Sequence, residues 1–589
     1  MPTNAILMIN GKKIDADIHD VSLEQRIDGH HVLTATLRKT GQVEKMSEFE
    51  DLSEYRDFVG KPVSITFESD EIPGTQDTVR LEFVYVVTQV SYDNSYDGIN
   101  TARITGHSPT YLMDGSKRNK IWQEQSASNI IKAILGNHSI TQGTIETTAK
   151  NLSYCVQYHE TDFEFIQRLA AANGMYAYYD GREFHVQKPT NSSPISLTWG
   201  YTLAAFTVGV GTAVEKFDGA GYCRLNKETY SGETSGSPRR SLSGLAAVSH
   251  RASKSLYPQA SSIGGLVPES QAEIDGAVEL ARMASIGTMI QGKGNTRDVP
   301  LSVAQKIDIE GLGNEINDSY FITRVVHAWK IGEYDCSFVC TSMDAAQPAL
   351  RPKPKATDLQ AAIVTGTDDP ENMGRVKVKF SWTVDGQQAE PDYWIRMITP
   401  HAGAERGFFA LPELGDEVIV AFEGGDPDRP VILGCMWNGK DNPPTNHPAG
   451  FTAADNDLKV FRTKGNNDLI FVDKSGYEAL SLVQKDGKNL ITLTMDGPKI
   501  MIESEGDISI KGNTVTIETT SGDVEIKSGA KVSVTSTGDM ELKSSGNLKA
   551  EGSMNFEGKG GTEAKLSGTT VKVEGTAMTE IKGGIVKIN

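Results

Sequence analysis

Two carboxylates that stand two residues apart, Glu160 and Asp162, are the most obvious candidates for acid–base chemistry in this sequence. Such chemistry also needs a partner that is spaced to join them, and no histidine, lysine or nucleophile clearly meets that condition. The residues from Phe163 to Ala170 have the apolar spacing of a helix. Thr161 or Asp162 at its start, among carboxylates, is typical of a helix cap. We therefore interpret the two carboxylates as part of a helix N-terminus.

Other motifs that carry chemistry are absent from the sequence. It has no Gly-x-Ser-x-Gly nucleophile turn, no His-Glu-x-x-His zinc motif, no Walker loop and no Cys-x-x-Cys pair. His30 and His31 are adjacent, so in a strand they face opposite sides and do not readily share a metal. Gln291–Asn295 contains Gly-Lys-Gly without the strand-to-helix context of a phosphate loop, and we interpret it as a turn. The sequence predicts no enzyme activity, no metal site and no cofactor.

Composition limits the classes of protein that remain. The chain has 589 residues, enough for about four domains. Its net charge of −19, without a basic stripe, argues against nucleic-acid binding. Five scattered cysteines show no disulfide or zinc spacing, and we interpret Cys336 and Cys340 as buried thiols. No signal peptide and no membrane span are found. We therefore expect assembly in the cytoplasm and delivery to the exterior or a target cell by another machine.

Most of the first 350 residues alternate between apolar and polar in the manner of β-strands. Residues 1–115 predict an antiparallel barrel or sandwich, and residues 116–190 predict a small α/β insertion. Residues 191–350 return to strands, with one helix near Glu269–Ser285. The sequence therefore predicts two β-rich domains on either side of an insertion.

The insertion carries a long motif. Ser153–Leu169 reads Ser-Tyr-Cys-Val-Gln-Tyr-His-Glu-Thr-Asp-Phe-Glu-Phe-Ile-Gln-Arg-Leu, and Asn173–Tyr176 reads Asn-Gly-Met-Tyr. Together they resemble a signature of the VgrG spike proteins of type VI secretion systems. The resemblance implies that residues 1–350 form a hub of two related β-barrels.

A second domain type follows a short linker. Residues 351–358 form a stiff, basic linker that contains proline, and five or six short strands follow within residues 359–440. Short strands at this density fit a closed barrel of the OB type. Four segments also resemble the OB domain of VgrG and of phage baseplate spikes: Gly374–Val378, Trp394–Arg396, Leu414–Val418 and Gly425–Gly434.

The end of the chain is a repeat. Residues 441–499 predict a neck of strands nearer ten residues apart, and in residues 500–589 apolar residues come in pairs two apart. Successive pairs begin 7, 9, 8, 8, 8, 6, 10 and 7 residues apart, and the pair Met554/Phe556 accounts for the 6 and the 10. Each pair lies on one face of a short strand, with turn residues between strands. The residues that we predict to form a shared core are Ile508, Ile510, Val515, Ile517, Val524, Ile526, Val532, Val534, Met540, Leu542, Leu548, Val571 and Val573.

Such strands offer one chain too little interior to bury. Several identical chains wound round one axis would share a thin apolar centre and remove exposed strand edges. A single-chain β-solenoid and a disordered tail are the alternatives, and the regular pairing speaks against disorder. The predicted fold is therefore mainly β: tandem hub β-barrels with a small α/β insertion, an OB-fold barrel, and a C-terminal intertwined triple-stranded β-helix in a homotrimer.

The resemblance implies a structural function. A trimeric spike would sit at the tip of a contractile injection apparatus and join its inner tube to a membrane-puncturing needle. The implied partners are a hexameric tail-tube protein and baseplate proteins at the hub, effectors as cargo, and a PAAR-like tip protein. The residues expected to bind the tip protein are Ile585, Val586, Lys587, Ile588 and Asn589.

Other functions stay open at this point. The spike could belong to an extracellular phage-tail-like particle or to a phage baseplate. A cell-wall hydrolase spike is disfavoured, because the short stretch after Asn438 leaves no room for a catalytic domain. A fibre-like adhesin would need a receptor-binding head after the repeat.

Overall fold

The computed structural model describes most of the chain in two compact units, Met1–Glu503 and Ser504–Asn589. The described residues are 3–14, 17–39, 53–69, 79–94, 100–189, 193–224, 226–234, 244–296, 300–343, 346–383, 393–444 and 456–588.

The first unit begins with β-strands. Alternate side chains such as Leu33, Ala35 and Leu37 are buried, which is the pattern of a strand with one face on a core. The elements are β1 (Thr3–Ile9), β2 (Lys12–Lys13), β3 (Asp17–Arg26), β4 (Val32–Lys39), α1 (Ser53–Arg56), β5 (Pro62–Ser69), β6 (Val79–Asn94) and β7 (Asn100–His107).

The predicted α/β insertion follows. Its elements are β8 (Arg118–Ser126), α2 (Ala127–Leu135), β9 (Gln142–Ile145), β10 (Asn151–Glu160), α3 (Asp162–Ala172), β11 (Tyr176–Tyr179) and β12 (Phe184–Gln187). At the start of α3, the Thr161 hydroxyl accepts a hydrogen bond from the Glu164 amide, and the Glu164 carboxylate accepts one from the Thr161 amide. This capping box satisfies two amides that the first helical turn leaves unpaired. The predicted cap at Thr161 is confirmed.

The second hub segment holds most of the remaining helical structure of the first unit. Its elements are β13 (Ile195–Thr198), β14 (Leu203–Val210), β15 (Phe217–Cys223), β16 (Glu228–Glu233), α4 (Gly244–Leu256), β17 (Ser261–Leu266), α5 (Gln271–Ile286), β18 (Ile290–Thr296), β19 (Lys306–Glu310), β20 (Ser319–Lys330) and β21 (Glu333–Ser342). Helix α5 matches the predicted helix, whereas α4 was not predicted.

One sheet of thirteen described strands runs through both hub segments. Its order is β14-β18-β21-β20-β3-β4-β7-β6-β5-β1-β2, and β13 and β19 join it beside β20. Strand β3 pairs with β20 in antiparallel register from Arg26 with Arg324 to Asp20 with Lys330. Two hydrophobic cores lie against this sheet, one containing Phe67 and the other Phe338. The segments predicted as tandem barrels therefore share a sheet and keep separate cores.

The interpretation of Gln291–Asn295 as a turn is wrong, because these residues lie inside strand β18. A Cβ atom at Gly292 would lie 2.7 Å from the Cys340 sulfur, and one at Gly294 would lie 2.5 Å from the Phe338 ring. Both neighbours belong to the paired strand β21. The glycines therefore mark places where large side chains cross over a strand.

Helix α4 was missed because its buried face is polar. Ser249 and Ser253 are its buried residues, and their hydroxyls bond the carbonyl of Gly211 and the amide of Ala213. Meanwhile Val248 is 51% exposed. Such a helix lacks the apolar stripe on which sequence-based prediction depends.

The OB-fold prediction is confirmed by a closed five-stranded barrel of order β22-β23-β24-β28-β27. Inward-facing Val364, Val376, Val418 and Ile432 fill it. The five barrel strands are β22 (Gln360–Gly366), β23 (Val376–Phe380), β24 (Trp394–Met397), β27 (Glu417–Phe422) and β28 (Pro430–Cys435). Between β24 and β27, the short strands β25 (Ala402–Gly403) and β26 (Arg406–Gly407) form a separate two-stranded sheet.

The predicted linker, residues 351–358, is fastened to both of its neighbours. Lys353 Nζ lies 2.8 Å from Asp426 and 2.6 Å from Asp428 of the OB barrel. Burial alone would lower the pKa of Lys353, but Asp428 and Asp426 outweigh it and raise that pKa. Asp428 also accepts a hydrogen bond from the amide of Val156 in the α/β insertion, at 2.6 Å. These charge-assisted bonds join the linker to the OB barrel, and the OB barrel directly to the hub.

A five-stranded antiparallel sheet, which we call the neck sheet, ends the first unit. Its strands are β29 (Leu458–Arg462), β30 (Asp468–Lys474), β31 (Tyr477–Val483), β32 (Asn489–Thr494) and β33 (Lys499–Ser504), paired in chain order. They lie within the region predicted as the neck and the first residues of the predicted needle.

Four of the five cysteines are buried free thiols: Cys155, Cys223, Cys336 and Cys340. Burial raises the pKa of Cys336 to about 11 and that of Cys340 to about 12. Cys435, on the OB barrel, is exposed.

In the part of the chain that the structure describes, no helix combines the length and the apolar character that crossing a bilayer requires.

Two histidines are fully buried in the hub. His31 lies 3.2 Å from the hydroxyl of Tyr85, and the His327 ring stacks on that of Phe67, 2.7 Å from the hydroxyl of Tyr334. Burial lowers the pKa of each histidine from 6.5 to about 3. The nearby Asp180 opposes the shift at His31, and His31 itself adds to the shift at His327. Both imidazoles are therefore neutral in the folded protein above about pH 3.

These pKa values predict a pH dependence of stability. Since the folded pKa lies below the unfolded value of 6.5, each histidine's contribution is complete above pH 6.5 and is lost as the pH falls toward 3. Each should lower the free energy of unfolding by about 1.4 kcal/mol per pH unit in that window. His327→Phe, which keeps a ring on Phe67, should remove about 1 kcal/mol of the loss of free energy of unfolding between pH 6.5 and 5.5, measured by urea denaturation.

The control is His401→Gln. It removes an exposed imidazole instead of a buried one, and so tests whether the loss of any histidine alters the slope. An unchanged slope in His327→Phe would contradict the assignment.

Candidate functional site: the carboxyl-terminal repeat

The second unit repeats every eight residues in space as well as in sequence. Its chain is extended, and bends occur at residues 505, 513, 521, 529, 537, 545, 553, 561, 569, 577 and 585. Over the described residues 505–588 no strand pairing is present. The predicted triple-stranded β-helix concerns an assembly of three chains and stays a prediction.

Serine hydroxyls fix many of the bends. Ser528, Ser536 and Ser544 stand eight residues apart, and each accepts a hydrogen bond from the amide two residues later at 3.2 Å. Each hydroxyl also donates to the carbonyl three residues later, at 3.2–3.3 Å. This local bonding is how serine holds a turn without help from distant residues. The bends are therefore encoded within each repeat.

The predicted core residues lie in equivalent positions along the chain. The first members of five successive pairs, Ile508, Val515, Val524, Val532 and Met540, are all 52–56% exposed. The second members, Ile510, Ile517, Ile526, Val534 and Leu542, are all 71–74% exposed.

Leu548, Val571 and Val573 are also exposed in the single chain, at 68%, 53% and 67%. The near-equal values along the first five pairs show that those repeats share one conformation. The role of these thirteen residues as a trimer axis is not tested by one chain and stays a prediction.

Charged side chains occupy the opposite face of the repeat. Glu525 and Lys527 flank Ile526 and pair at 2.7 Å, and Lys549 pairs with Glu551 at 2.6 Å. The same pairing joins Glu541 to Lys543, Lys572 to Glu574 and Glu580 to Lys582. In an extended chain, residues two apart share a face. One face of the repeat is therefore apolar and the other is charged.

The irregular spacing near Met554 has a structural explanation. The bends at 545, 553 and 561 keep the eight-residue period, and Met554 lies at a bend, 92% exposed. The interpretation of Met554 and Phe556 as an equivalent pair is therefore wrong. Phe556 stands three residues after its bend, as Val524 does, and Gly558 occupies the second position.

The residues expected to bind a tip protein are solvent-exposed in the single chain. Ile585, Val586 and Ile588 are 82%, 49% and 88% exposed, and Lys587 is also exposed. Asn589 lies outside the described residues. Tip binding by these residues stays a prediction.

The carboxylates Glu160 and Asp162 have separate structural roles. Glu160 forms a two-pronged ion pair with Arg168 at 2.8 and 2.7 Å, and both side chains are buried. Asp162 is also buried and lies 2.8 Å from His138. Sequence analysis missed the pairing with Arg168, because Glu160 ends a strand while Arg168 lies inside the following helix. The buried pair connects β10 to α3, and it is not acid–base machinery.

One arrangement in the hub resembles a catalytic triad. The Thr110 hydroxyl lies 2.9 Å from His30 Nδ1, and His30 Nε2 lies 2.7 Å from Asp114. However, the Thr110 hydroxyl also bonds Ser108 and is 1% exposed, so no substrate reaches it. Among the described residues, no group of three His, Cys, Asp or Glu side chains could hold a metal ion.

Two families match parts of the chain. Residues 45–196 match the phage tail baseplate hub (GPD) family, and residues 360–437 match the type VI secretion system/phage-baseplate injector OB domain. The second match coincides with the closed barrel. The chain thus combines a baseplate hub domain with an injector OB domain.

Curated relatives make the class more specific. The type VI secretion system spike proteins VgrG1b and VgrG1a of Pseudomonas aeruginosa are each 26% identical to this chain, over 77% and 78% of it. The chain spans 64% of VgrG1b and 74% of VgrG1a. A solved structure, the Francisella PdpA-VgrG complex in its half-lidded form, aligns with a TM-score of 0.54 at 12% identity, over 85% of this chain and 88% of the other. The chain is a homologue of the VgrG spike proteins.

The buried Glu160–Arg168 pair generates a stability prediction. Glu160→Gln should leave the Arg168 charge without its counterion and lower the free energy of unfolding by about 3–5 kcal/mol. Urea denaturation of the full chain would measure this.

The matched control is Glu24→Gln, which breaks a partly exposed Glu24–Arg324 pair of 2.9 Å in the hub sheet. An exposed pair contributes less than about 1 kcal/mol. Equal effects of the two substitutions would show that the buried pair has no special role.

Proposed function

We propose that the chain is the structural spike of a contractile injection apparatus of the type VI secretion class. The observation that carries this proposal is the order of parts on one chain: a hub, an OB barrel fastened to it, and a long apolar repeat. The hub would join the hexameric tail-tube protein and baseplate proteins, and the repeat would form the membrane-puncturing needle. Contraction would drive it from the cytoplasm, where it assembles, to the exterior or into a target cell.

The repeat supports a homotrimer. Its described residues 505–588 have no strand partner and expose one apolar face along the whole length. Unpaired backbone groups and exposed apolar side chains are both unfavourable, and pairing among identical copies would satisfy both at once. Burying each half-exposed valine or isoleucine would stabilise the assembly by about 1 kcal/mol. Summed over many repeats, this favours a stiff rod.

The mechanism that we propose is mechanical and involves no catalysis. The relatives that match over most of this chain are named as spike proteins. A hydrolytic spike would need an accessible catalytic group, and the triad-like hydroxyl of Thr110 is enclosed. A spike of an extracellular phage-tail-like particle is the second candidate, because the matched OB family includes phage-baseplate injectors.

The mass in solution tests the assembly. Light scattering should give three times the chain mass of 63.8 kDa for the full chain, and a smaller species for a chain ending at Asn438. Val532→Asp would place three carboxylates on the apolar axis and should abolish the three-chain mass, because burying unpaired charge costs several kcal/mol.

Ser533→Asp is the matched control, because Ser533 lies on the opposite face of the same strand and its carboxylate would remain in water. A monomeric full chain would overturn the needle proposal and leave a single-chain solenoid.

We also propose that Ile585–Asn589 bind a PAAR-like tip protein that carries effectors. Three copies of Ile585, Val586 and Ile588 would make an apolar platform, and such platforms are characteristic of binding sites. Deleting Ile585–Asn589 should abolish recovery of the tip protein in a pull-down while leaving the three-chain mass intact. Full recovery with the deleted chain would contradict the assignment.

A further inference from the structure

The neck sheet is apolar on both faces. One face carries the buried residues Leu458, Ile470, Val472 and Ala479. Strands that alternate apolar with polar residues normally expose the polar set. Here the alternate positions are apolar as well, so the second face requires its own explanation.

The strand register aligns these second-face residues into two rows. In the first row, Phe461 pairs with Leu469, Leu469 with Leu482, and Leu482 with Ile491. In the second row, Lys459 pairs with Phe471, Phe471 with Leu480, and Leu480 with Leu493. Lys459 is the single charged residue among these eight. We call these two rows the outer face of the neck sheet.

The outer face is open in the single chain. Phe461, Phe471, Leu482 and Ile491 are 39–51% exposed. The OB barrel extends it, since the Phe408 ring packs edge-on against Phe461 with 6.1 Å between centroids. Together these side chains expose roughly 500 Å², near the upper end of what a monomer leaves uncovered. A patch of this size is typical of an interaction site.

A second copy of this chain fits the face best. Along the sequence, the outer-face residues are followed by Ile500 and Ile502, 71% and 60% exposed, and then by the exposed apolar pairs of the repeat. A second copy of this chain carries the same apolar residues in the same order and at the same spacing. Identical copies therefore match by symmetry. A membrane surface would be less suited, because a lipid headgroup region favours basic residues around the apolar ones, and these rows contain one lysine.

A contact between neck sheets would determine the register in which the repeats of different chains pair. Because the repeats are nearly equivalent, with five successive first members all 52–56% exposed, chains displaced by eight residues would pair almost as well as aligned chains. The neck sheet does not repeat every eight residues, and each of its two phenylalanines, Phe461 and Phe471, occupies a unique position in it. Contacts between unique large side chains distinguish the aligned assembly from shifted ones.

We propose that the outer face of the neck sheet is a contact between copies of this chain, and that this contact aligns the repeats in register. The inference rests on the proposed homotrimer and adds where its alignment is determined. Each copy would place its Phe461–Ile491 row against a neighbour before the repeats pair.

The test uses the full chain with Leu482→Glu, which places a carboxylate at the centre of the first row. At about 1 µM, light scattering should show that most of the single three-chain species is lost, either to single chains or to a mixture of masses. Lys485→Glu is the matched control, because it adds a carboxylate in the exposed turn between β31 and β32, and it should keep the three-chain mass.

Several outcomes would overturn the proposal. A single three-chain mass in Leu482→Glu would show that the repeat aligns itself, and equal loss in Lys485→Glu would show that the outer face is not the contact. Circular dichroism checks that the variants fold. If Leu482→Glu loses its β-sheet signal, Leu482→Asn takes its place, and its mass in solution is compared with the single three-chain mass in the same way. An unmodified chain that is monomeric would instead overturn the proposed function, so the two failures are distinguishable.

Discussion

An extended strand cannot pair the N–H and C=O groups of its own backbone, and it cannot bury its own apolar face. The carboxyl-terminal repeat is made almost entirely of such extended segments. In several repeats a serine side chain bonds the backbone at the bend, and a Glu–Lys pair occupies the charged face. What remains is an apolar face and two open strand edges. The chain is therefore incomplete by itself, and the proposed assembly follows from that incompleteness.

The first unit meets the opposite requirement, which is to hold its parts in fixed positions. Lys353 bridges two aspartates of the OB barrel, and one of them accepts the amide of Val156 in the hub. The Glu160–Arg168 pair connects the same strand of the insertion to its helix. Such pairs add directional restraint that apolar packing lacks. A force applied at the hub would reach the OB barrel through bonds rather than through a free linker.

Sequence reasoning succeeded where one physical signal dominated. Apolar alternation predicted the hub strands, the OB barrel and the neck, and the cap at Thr161 followed from local hydrogen bonding. It failed where side chains from elsewhere decided the outcome. Gly292 and Gly294 suggested a turn but lie in a strand that Cys340 and Phe338 cross, and α4 buries serines instead of an apolar stripe. The role of Glu160 could be assigned only once its contact with Arg168 was seen. The place of Met554 in the repeat could be assigned only once the positions of the bends were seen. The trimer axis stays a prediction, because it would be formed by three copies of the chain.

The buried thiols have a consequence for the proposed delivery. On that route the chain would pass from a reducing interior to oxidising surroundings, where reactive cysteines form adventitious disulfides. Burial keeps Cys336 and Cys340 protonated, with pKa values of about 11 and 12, and out of reach of oxidants. Both are free thiols in the folded hub and would stay so on that route. The fold around them would therefore not depend on the redox potential of either compartment.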